Sequence, residues 1–332
     1  MFAVNSYSIA IIFCIITMIC WGSWANTQKL SSRKWRFELF YWDYAFGILI
    51  LSIIIAFTLG SYGSSGRPFV TDISQANSSN LISAFIGGVI FNLANILLVA
   101  AIALAGMAVA FPVGIGIALI LGVIVNYSVN PQGNALVLFI GVSLIAIAII
   151  LNAIAYRQVN KDNSSLSLKG LSLSVIAGVL MGFFYKYVAT SMITDFDVPE
   201  VGKLTPYTAL VLFAIGVVVS NLLFNSLLMY FPISGNRLSV SDYFKGSLKD
   251  HAIGLFGGII WHIGMSLNII ASTKASPAIS YGLGQGATIV AAIWGIFIWK
   301  EFAKASKKTF RNLYLMLFLY LIGILLIIMS NK

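Results

Sequence analysis

From Ile73 to Tyr156 this chain carries no Asp, Glu, Lys or Arg. A water-soluble fold does not tolerate so long an uncharged run. A bilayer does, and the run has room for three crossings of about 20 residues each. Over the whole chain 59% of residues are hydrophobic and 9% charged, whereas a soluble domain is about a quarter charged. Apolar runs separated by polar breaks predict ten helices, near 6–27, 39–60, 81–104, 107–127, 134–155, 169–191, 207–229, 251–271, 277–299 and 311–330. The expected class is an all-α integral membrane protein with ten transmembrane helices. Met1 to Tyr7 offers no basic region before the first run, and no small-residue cleavage site follows it, so the run reads as a retained span.

The centre of the chain is written twice. Gly87-Gly88-Val89-Ile90-Phe91 returns as Gly257-Gly258-Ile259-Ile260-Trp261. At the same unbroken offset Leu97 returns as Leu267, Ala101 as Ala271, Ala105 as Ala275, Ala108 as Ala278, and Gly114-Ile115-Gly116 as Gly284-Gln285-Gly286. Weaker pairs flank this core, Trp21-Gly22 with Met181-Gly182 and Tyr44 with Tyr207. Five predicted spans lie on each side of the polar segment Arg157 to Lys169. An odd number per half forces the halves into opposite orientation. The expected organisation is two inverted five-helix repeats, 1–156 and 169–332, joined by a cytoplasmic linker over 157–168.

A formal charge of +10 would suggest nucleic acid in a soluble protein; here the placement of the cations decides. Odd-numbered loops hold Lys29, Arg33, Lys34, Arg36, Arg157, Lys161, Lys169, Arg237, Lys245, Lys249, Lys300, Lys304, Lys307, Lys308 and Arg311. Even loops and the tail hold Arg67, Lys203, Lys274 and Lys332. The positive-inside rule makes the odd loops cytoplasmic and puts both termini outside. The basic loops therefore report orientation in a membrane, with no nucleic-acid partner implied.

Polar side chains inside hydrocarbon need a pathway, a coupling ion or a buried partner. Asn92 and Asn95 in span 3, His262 and Asn268 in span 8, and Gln285 in span 9 meet that description. Trp21 and Asn26, with Trp24 and Gln28, give span 1 an amphipathic, pore-like end. Trp261 stands where Phe91 stands in the other half. Gly114, Gly116, Gly284 and Gly286 lie in spans 4 and 9. There Pro112 and the glycines would let the helices bend or unwind toward a midplane site, although small residues also serve ordinary close packing. These residues are the candidate solute contacts. Apolar and aromatic walls with a few amides suit a small neutral polar solute.

Lys186 in span 6 and Asp43 in span 2 are the candidate ion-coupling residues, expected to pair with each other. Snorkelling of Lys186 to an interface, and an interfacial place for Asp43 in the belt Phe40, Tyr41, Trp42 and Tyr44, are the plainer alternatives. His262 could carry a proton or hold a helix interface. Cys14 and Cys20 fall in one span and face different directions, so neither a disulfide nor a metal site is indicated. Glu38, Asp195, Asp197 and Glu200 read as loop charges. There is no phosphate-binding G-x-x-x-x-G-K-[ST] and no cluster of nucleophile, base and acid. No cofactor and no enzymatic activity are expected.

The ten-span, five-plus-five layout resembles the drug/metabolite transporter superfamily over essentially the whole chain. Cys20 to Leu30 (CWGSWANTQKL) resembles the start of bacterial glucose/ribose uptake porters. Asp43 to Phe69 and Lys203 to Leu210 (KLTPYTAL) resemble ureide permeases, which carry allantoin and related heterocycles. GMAVAFPVGIGIALILG is similar to the glycine-rich span of rhamnose-proton symporters. The central segment Arg157 to Lys169 is short where the ureide branch has a long loop. The resemblance implies a secondary transporter in a bacterial cytoplasmic membrane, importing a sugar or a ureide or nucleobase-like solute by alternating access. Protons, or else sodium, would drive it, with a monomer as the default. The rival within transport is a drug or metabolite exporter; a sensor or membrane-embedded enzyme is the rival from outside it.

Overall fold

The computed structural model describes residues 1–332 except 33, 106, 160–166, 234, 304 and 332. Among them are ten helices long and apolar enough to cross a membrane. They are span 1 (Tyr7–Leu30), span 2 (Phe37–Phe57), span 3 (Ser78–Ala105), span 4 (Val109–Val129) and span 5 (Ala135–Val159). The second half holds span 6 (Leu168–Ser191), span 7 (Pro206–Tyr230), span 8 (Leu248–Ala275), span 9 (Pro277–Ile298) and span 10 (Lys307–Met329). The one β pairing among the described residues is an isolated bridge between Met192 and Leu204. The protein is an all-α, multi-pass membrane protein. Most of the linker predicted over 157–168 lies outside the described residues. So do Gly106, between spans 3 and 4, and Arg33, Lys161, Lys304 and Lys332 of the charge pattern.

Hydroxyl caps mark where the helices begin. Ser6, Ser167, Thr205, Ser247, Ser276 and Ser306 each accept a backbone N–H from three residues ahead, satisfying a donor that the first helical turn leaves free. Proline and glycine act differently in spans 4 and 9. Span 4 runs through Pro112 as one helix, Met107–Val129; the proline lies close to the helix start, so the rest of the hydrogen-bond ladder survives its missing donor. Span 9 does break. Its helix Pro277–Gly284 gives way to a turn at Gln285-Gly286, resumes at Ala287–Ile293 and ends in the π-helical turn Trp294–Ile298. The expected unwinding holds for span 9 alone.

The duplicated glycines are crossing points. A Cβ on Gly88 would run into the carbonyl oxygen of Phe213 in span 7, and one on Gly258 into the carbonyl oxygen of Tyr44 in span 2. The partners answer in kind: Gly216 meets the carbonyl of Phe85, and Gly47 that of Leu255. Tyr44 is thus equivalent to Phe213, and the predicted match of Tyr44 with Tyr207 is off by almost two helical turns. Span 3 also packs on span 6 as span 8 packs on span 1, span 4 on span 6 as span 9 on span 1, and spans 5 and 10 on each other. Exchanging the halves leaves this set of neighbours unchanged.

Outside the hydrocarbon, the segment between spans 6 and 7 is fastened by a buried ion pair. Arg67 Nε donates to Asp72 Oδ1 at 3.0 Å, and its other nitrogens reach the carbonyls of Pro199, Glu200 and Lys203 at 2.9, 3.1 and 2.8 Å. Asp72, whose side chain is fully buried, also accepts from the Thr205 N–H at 2.7 Å.

We predict that Gly258→Val, which forces spans 2 and 8 apart, destabilises the protein by about 1–3 kcal/mol. Asp72→Ala, which leaves Arg67 without its counter-charge, should cost about 3–5 kcal/mol. Thermal unfolding of the detergent-solubilised protein measures both.

Candidate functional site

Gly88 and Gly258 are each followed one turn later by an aromatic residue, Phe91 and Trp261, and these two aromatics meet at the centre. Their ring centroids lie 4.4 Å apart. Trp21 stacks on Trp261 at 5.8 Å and 10°, and Phe213 lies against it at 6.0 Å and 15°. Trp21 is held by its Nε1–H, which donates to the Trp261 carbonyl at 3.2 Å. Trp21, Phe91 and Trp261, backed by Phe213, form the floor of a cavity of about 680 Å³.

The cavity walls come from both halves. Asn95 lines it from span 3 and donates to Tyr41 Oη at 3.0 Å; Gln285 lines it from the break in span 9. Phe111, Pro112 and Ile115 supply the span 4 wall, and Asn152 and Tyr156 the span 5 wall. The mouth opens on the side of the odd-numbered loops, between the ends of spans 1, 5 and 9. Lys29 Nζ lies 3.5 Å from Glu301 Oε1 and 4.2 Å above the Trp299 ring. Tyr156 Oη donates to Glu301 Oε2 at 2.9 Å, and Trp299 Nε1 to Asn26 Oδ1 at 2.7 Å. The π-helical turn, followed by Lys300 at φ 52°, is what turns Trp299 and Glu301 toward the mouth; such turns recur at functional sites.

A second cavity of about 480 Å³ opens at the other end of the helices, lined by Asn126, Asn130, Thr190, Thr194, Ser272 and Thr273 among others. Between the two cavities lies a buried layer. On span 9, Tyr281 stands between Gln285 and Pro277; on span 6, Tyr185 follows Phe184 and precedes Ala189; on span 8, Asn268 stands between Trp261 and Ser272. Tyr281 Oη donates to the carbonyls of Ala118 and Met181 at 3.1 and 2.9 Å, and Tyr185 Oη to the Asn268 carbonyl at 3.4 Å. The two rings meet edge-on at 5.3 Å. The layer ties spans 4, 6, 8 and 9 together and separates the cavities.

Of the predicted contacts, the structure brings Trp21, Asn26, Asn95, Trp261 and Gln285 to one cavity. Asn92 turns away and donates to Ser220 Oγ at 2.9 Å in span 7. Asn268 belongs to the barrier, where its Nδ2 donates to the Ser280 carbonyl at 2.8 Å. His262 is fully buried beside the cavity, and its ring nitrogens meet no partner among the described residues. Three of the glycines are closely packed, Gly114 against Leu98, Gly284 against the Trp21 ring and Gly286 against Met18, whereas Gly116 faces open space.

Lys186 and Asp43 do not pair. Asp43 is in the second turn of span 2, at the odd-loop side; Lys186 is near the Ser191 end of span 6, at the opposite side of the membrane, and is half-buried. Asp43 bonds instead to His251 Nδ1, 3.0 Å from both carboxylate oxygens, and to Tyr243 Oη at 2.5 Å. Sequence reasoning missed His251, Trp35, Tyr156, Trp299 and Glu301. Glu301 carried one usable signal, as an acid within a loop otherwise rich in lysine.

A protein-family model described as Ureide permease matches residues 40–169 and 157–330. Ureide permease 1 of Arabidopsis thaliana is 24% identical, with the alignment covering 100% of this chain and 99% of that protein. Ureide permease 4 of the same plant is 25% identical over 100% of this chain and 99% of its own length. A Listeria monocytogenes protein assigned to sugar uptake by its name is 24% identical, covering 84% of this chain and 87% of its own. A solved crystal structure shares the fold, with a TM-score of 0.59 at 12% identity, covering 97% of this chain and 98% of the other.

The two cavities predict two-sided access. With Cys14→Ala and Cys20→Ala as background, Ala25→Cys in the main cavity should react with a membrane-impermeant thiol reagent from the odd-loop side only. Gln132→Cys, in the second cavity, should react from the opposite side only. Labelling of both positions from one side would contradict the topology.

Proposed function

This chain belongs to the ureide permease family, and on that premise we propose that it is a secondary transporter that imports a small, neutral, planar nitrogen heterocycle of the ureide or nucleobase type. The observation that carries this reading is the aromatic floor. Trp21 and Trp24, half-buried, with the rims of the mutually packed Trp261 and Phe91, present aromatic surface to the cavity against which a planar solute packs, while Asn95 and Gln285 offer both donors and acceptors to a ring of alternating N–H and C=O groups. A sugar would leave much of that aromatic face unused, although the sugar uptake relative makes it the solute to test beside the ureides. Relatives named for permeation and uptake favour import over export.

Transport would proceed by alternating access. The neighbour set that survives exchange of the halves supports two inverted repeats, 1–156 and 169–332, rocking about the central floor. The form described here is open toward the odd loops, which the positive-inside rule makes cytoplasmic. Opening the other way requires the Tyr281 and Tyr185 layer to part and the Lys29, Glu301 and Trp299 mouth to close. Both termini would lie outside a bacterial cytoplasmic membrane, with the monomer sufficient because each chain holds both halves of its site. Import would be driven by protons.

A thermal-shift and proteoliposome uptake comparison of allantoin, uracil and glucose tests the reading, since a ligand of the folded state raises its apparent stability. Allantoin or uracil should stabilise the protein and be taken up, and Trp261→Ala should weaken binding about tenfold, equivalent to ~1.4 kcal/mol. A response to glucose alone would reassign the solute, and no response to any of the three would overturn the proposal.

A further inference from the structure

Asp43 is one of the most enclosed acids in the protein, 3% exposed, and its surroundings form a small device. His251, from the first turn of span 8, places Nδ1 3.0 Å from each carboxylate oxygen. Tyr243, on the short helix Val240–Phe244 between spans 7 and 8, donates its hydroxyl at 2.5 Å. Gly254 leaves the room: a Cβ there would lie 2.5 Å from the Asp43 Cβ. Of the other charged groups nearby, Lys34 and Lys249 are exposed and the acids are already engaged. On span 2 Glu38 is held by Arg36, beside His251 Asp250 bonds to Ser32 and Ser247, and on the short helix Asp242 pairs with Lys245. Span 7 presents the neutral Asn225 and Met229 to this stretch of span 2. Burial and the bond to Asp43 push the Tyr243 hydroxyl above its ordinary range, so it stays protonated and serves as a fixed donor.

We propose that the coupling proton binds at His251 Nε2, with Asp43 as its counter-charge and Tyr243 holding the carboxylate in place. Nδ1 donates to Asp43, so in the neutral imidazole Nε2 carries the lone pair. Nε2 points toward Gly246 at the loop edge, and the His251 side chain is 23% exposed, so water on the odd-loop side reaches it. A proton delivered by that water forms the Nε2–H bond, and the pair passes from a net charge of −1 to zero. A neutral pair is far less costly to bury than a lone carboxylate. The protonated form therefore favours tight packing of spans 2 and 8, and loss of the proton favours a hydrated, loosened contact.

Trp35 connects this pair to the solute path. Its ring stands edge-on to His251 at 4.9 Å and lies 6.0 Å from Tyr243, and the same residue lines the mouth of the main cavity. A shift of His251 on gaining or losing a proton is felt at the mouth through one intervening side chain.

The proposal rests on proton-driven import, and its test separates the two. An imidazolium next to an indole quenches its fluorescence, so the Trp35 emission of the purified protein, taken as the difference from Trp35→Phe, needs no solute. It should fall with decreasing pH in the native protein and lose that step in His251→Gln. In proteoliposomes with an inward proton gradient and allantoin as probe, Asp43→Asn and His251→Gln should keep solute exchange but lose accumulation against a gradient. Tyr243→Phe, the mildest change, should reduce accumulation partially and guards against a folding defect in the others. Flat Trp35 emission, or native-like accumulation by Asp43→Asn, overturns the proposal. Should the native protein carry no allantoin while Trp35 still titrates through His251, the proton site stands and the ureide reading falls.

Discussion

Everything in this structure depends on two places where helix backbones touch. Between transmembrane helices there is no hydrophobic effect to exploit, because lipid tails are as apolar as leucine, so association rests on close packing and a few hydrogen bonds. Gly47 with Gly258, and Gly88 with Gly216, let spans 2 and 8 and spans 3 and 7 approach until a carbonyl oxygen occupies the space of a missing side chain. Because Gly88 and Gly258 are followed one turn later by Phe91 and Trp261, the same contacts set the height and rotation of the aromatic floor. Packing and site are one feature read at two levels.

The span that breaks reaches every level of the candidate site. Span 9 contributes Gln285 from its central turn, Tyr281 to the barrier below, and Trp299 and Glu301 to the mouth through its π-helical end. Span 4, the counterpart in the other half, stays a continuous helix. The two halves therefore share an architecture while only the second interrupts its span, and the residues of the mouth have no equivalents across the exchange.

The ten spans were legible because length and hydropathy set them, and the crossing glycines because they recur at one offset. Trp261, Trp21, Asn95, Asn26 and Gln285 were legible as polar or aromatic residues out of place. The partner of Asp43 was not. Lys186 was the conspicuous intramembrane cation, but depth along the helix decides who can meet, and Lys186 lies at the wrong end. His251 was invisible because it sits at the very start of span 8, where a histidine reads as a loop residue. Asn92, Asn268 and His262 show the same limit in another form. They are buried polar groups, but rotation about the helix axis turns Asn92 and His262 to neighbouring helices and depth along span 8 puts Asn268 in the barrier, and sequence reports neither.

Alternating access is the central claim, and pairs of spin labels measure it directly. One pair at Leu30 and Arg157 spans the mouth; a second at Gln132 and Thr194 spans the opposite cavity. On adding solute and a proton gradient, the first distance should shorten in the same population in which the second lengthens. Two distances that stay fixed, or that grow together, would contradict it.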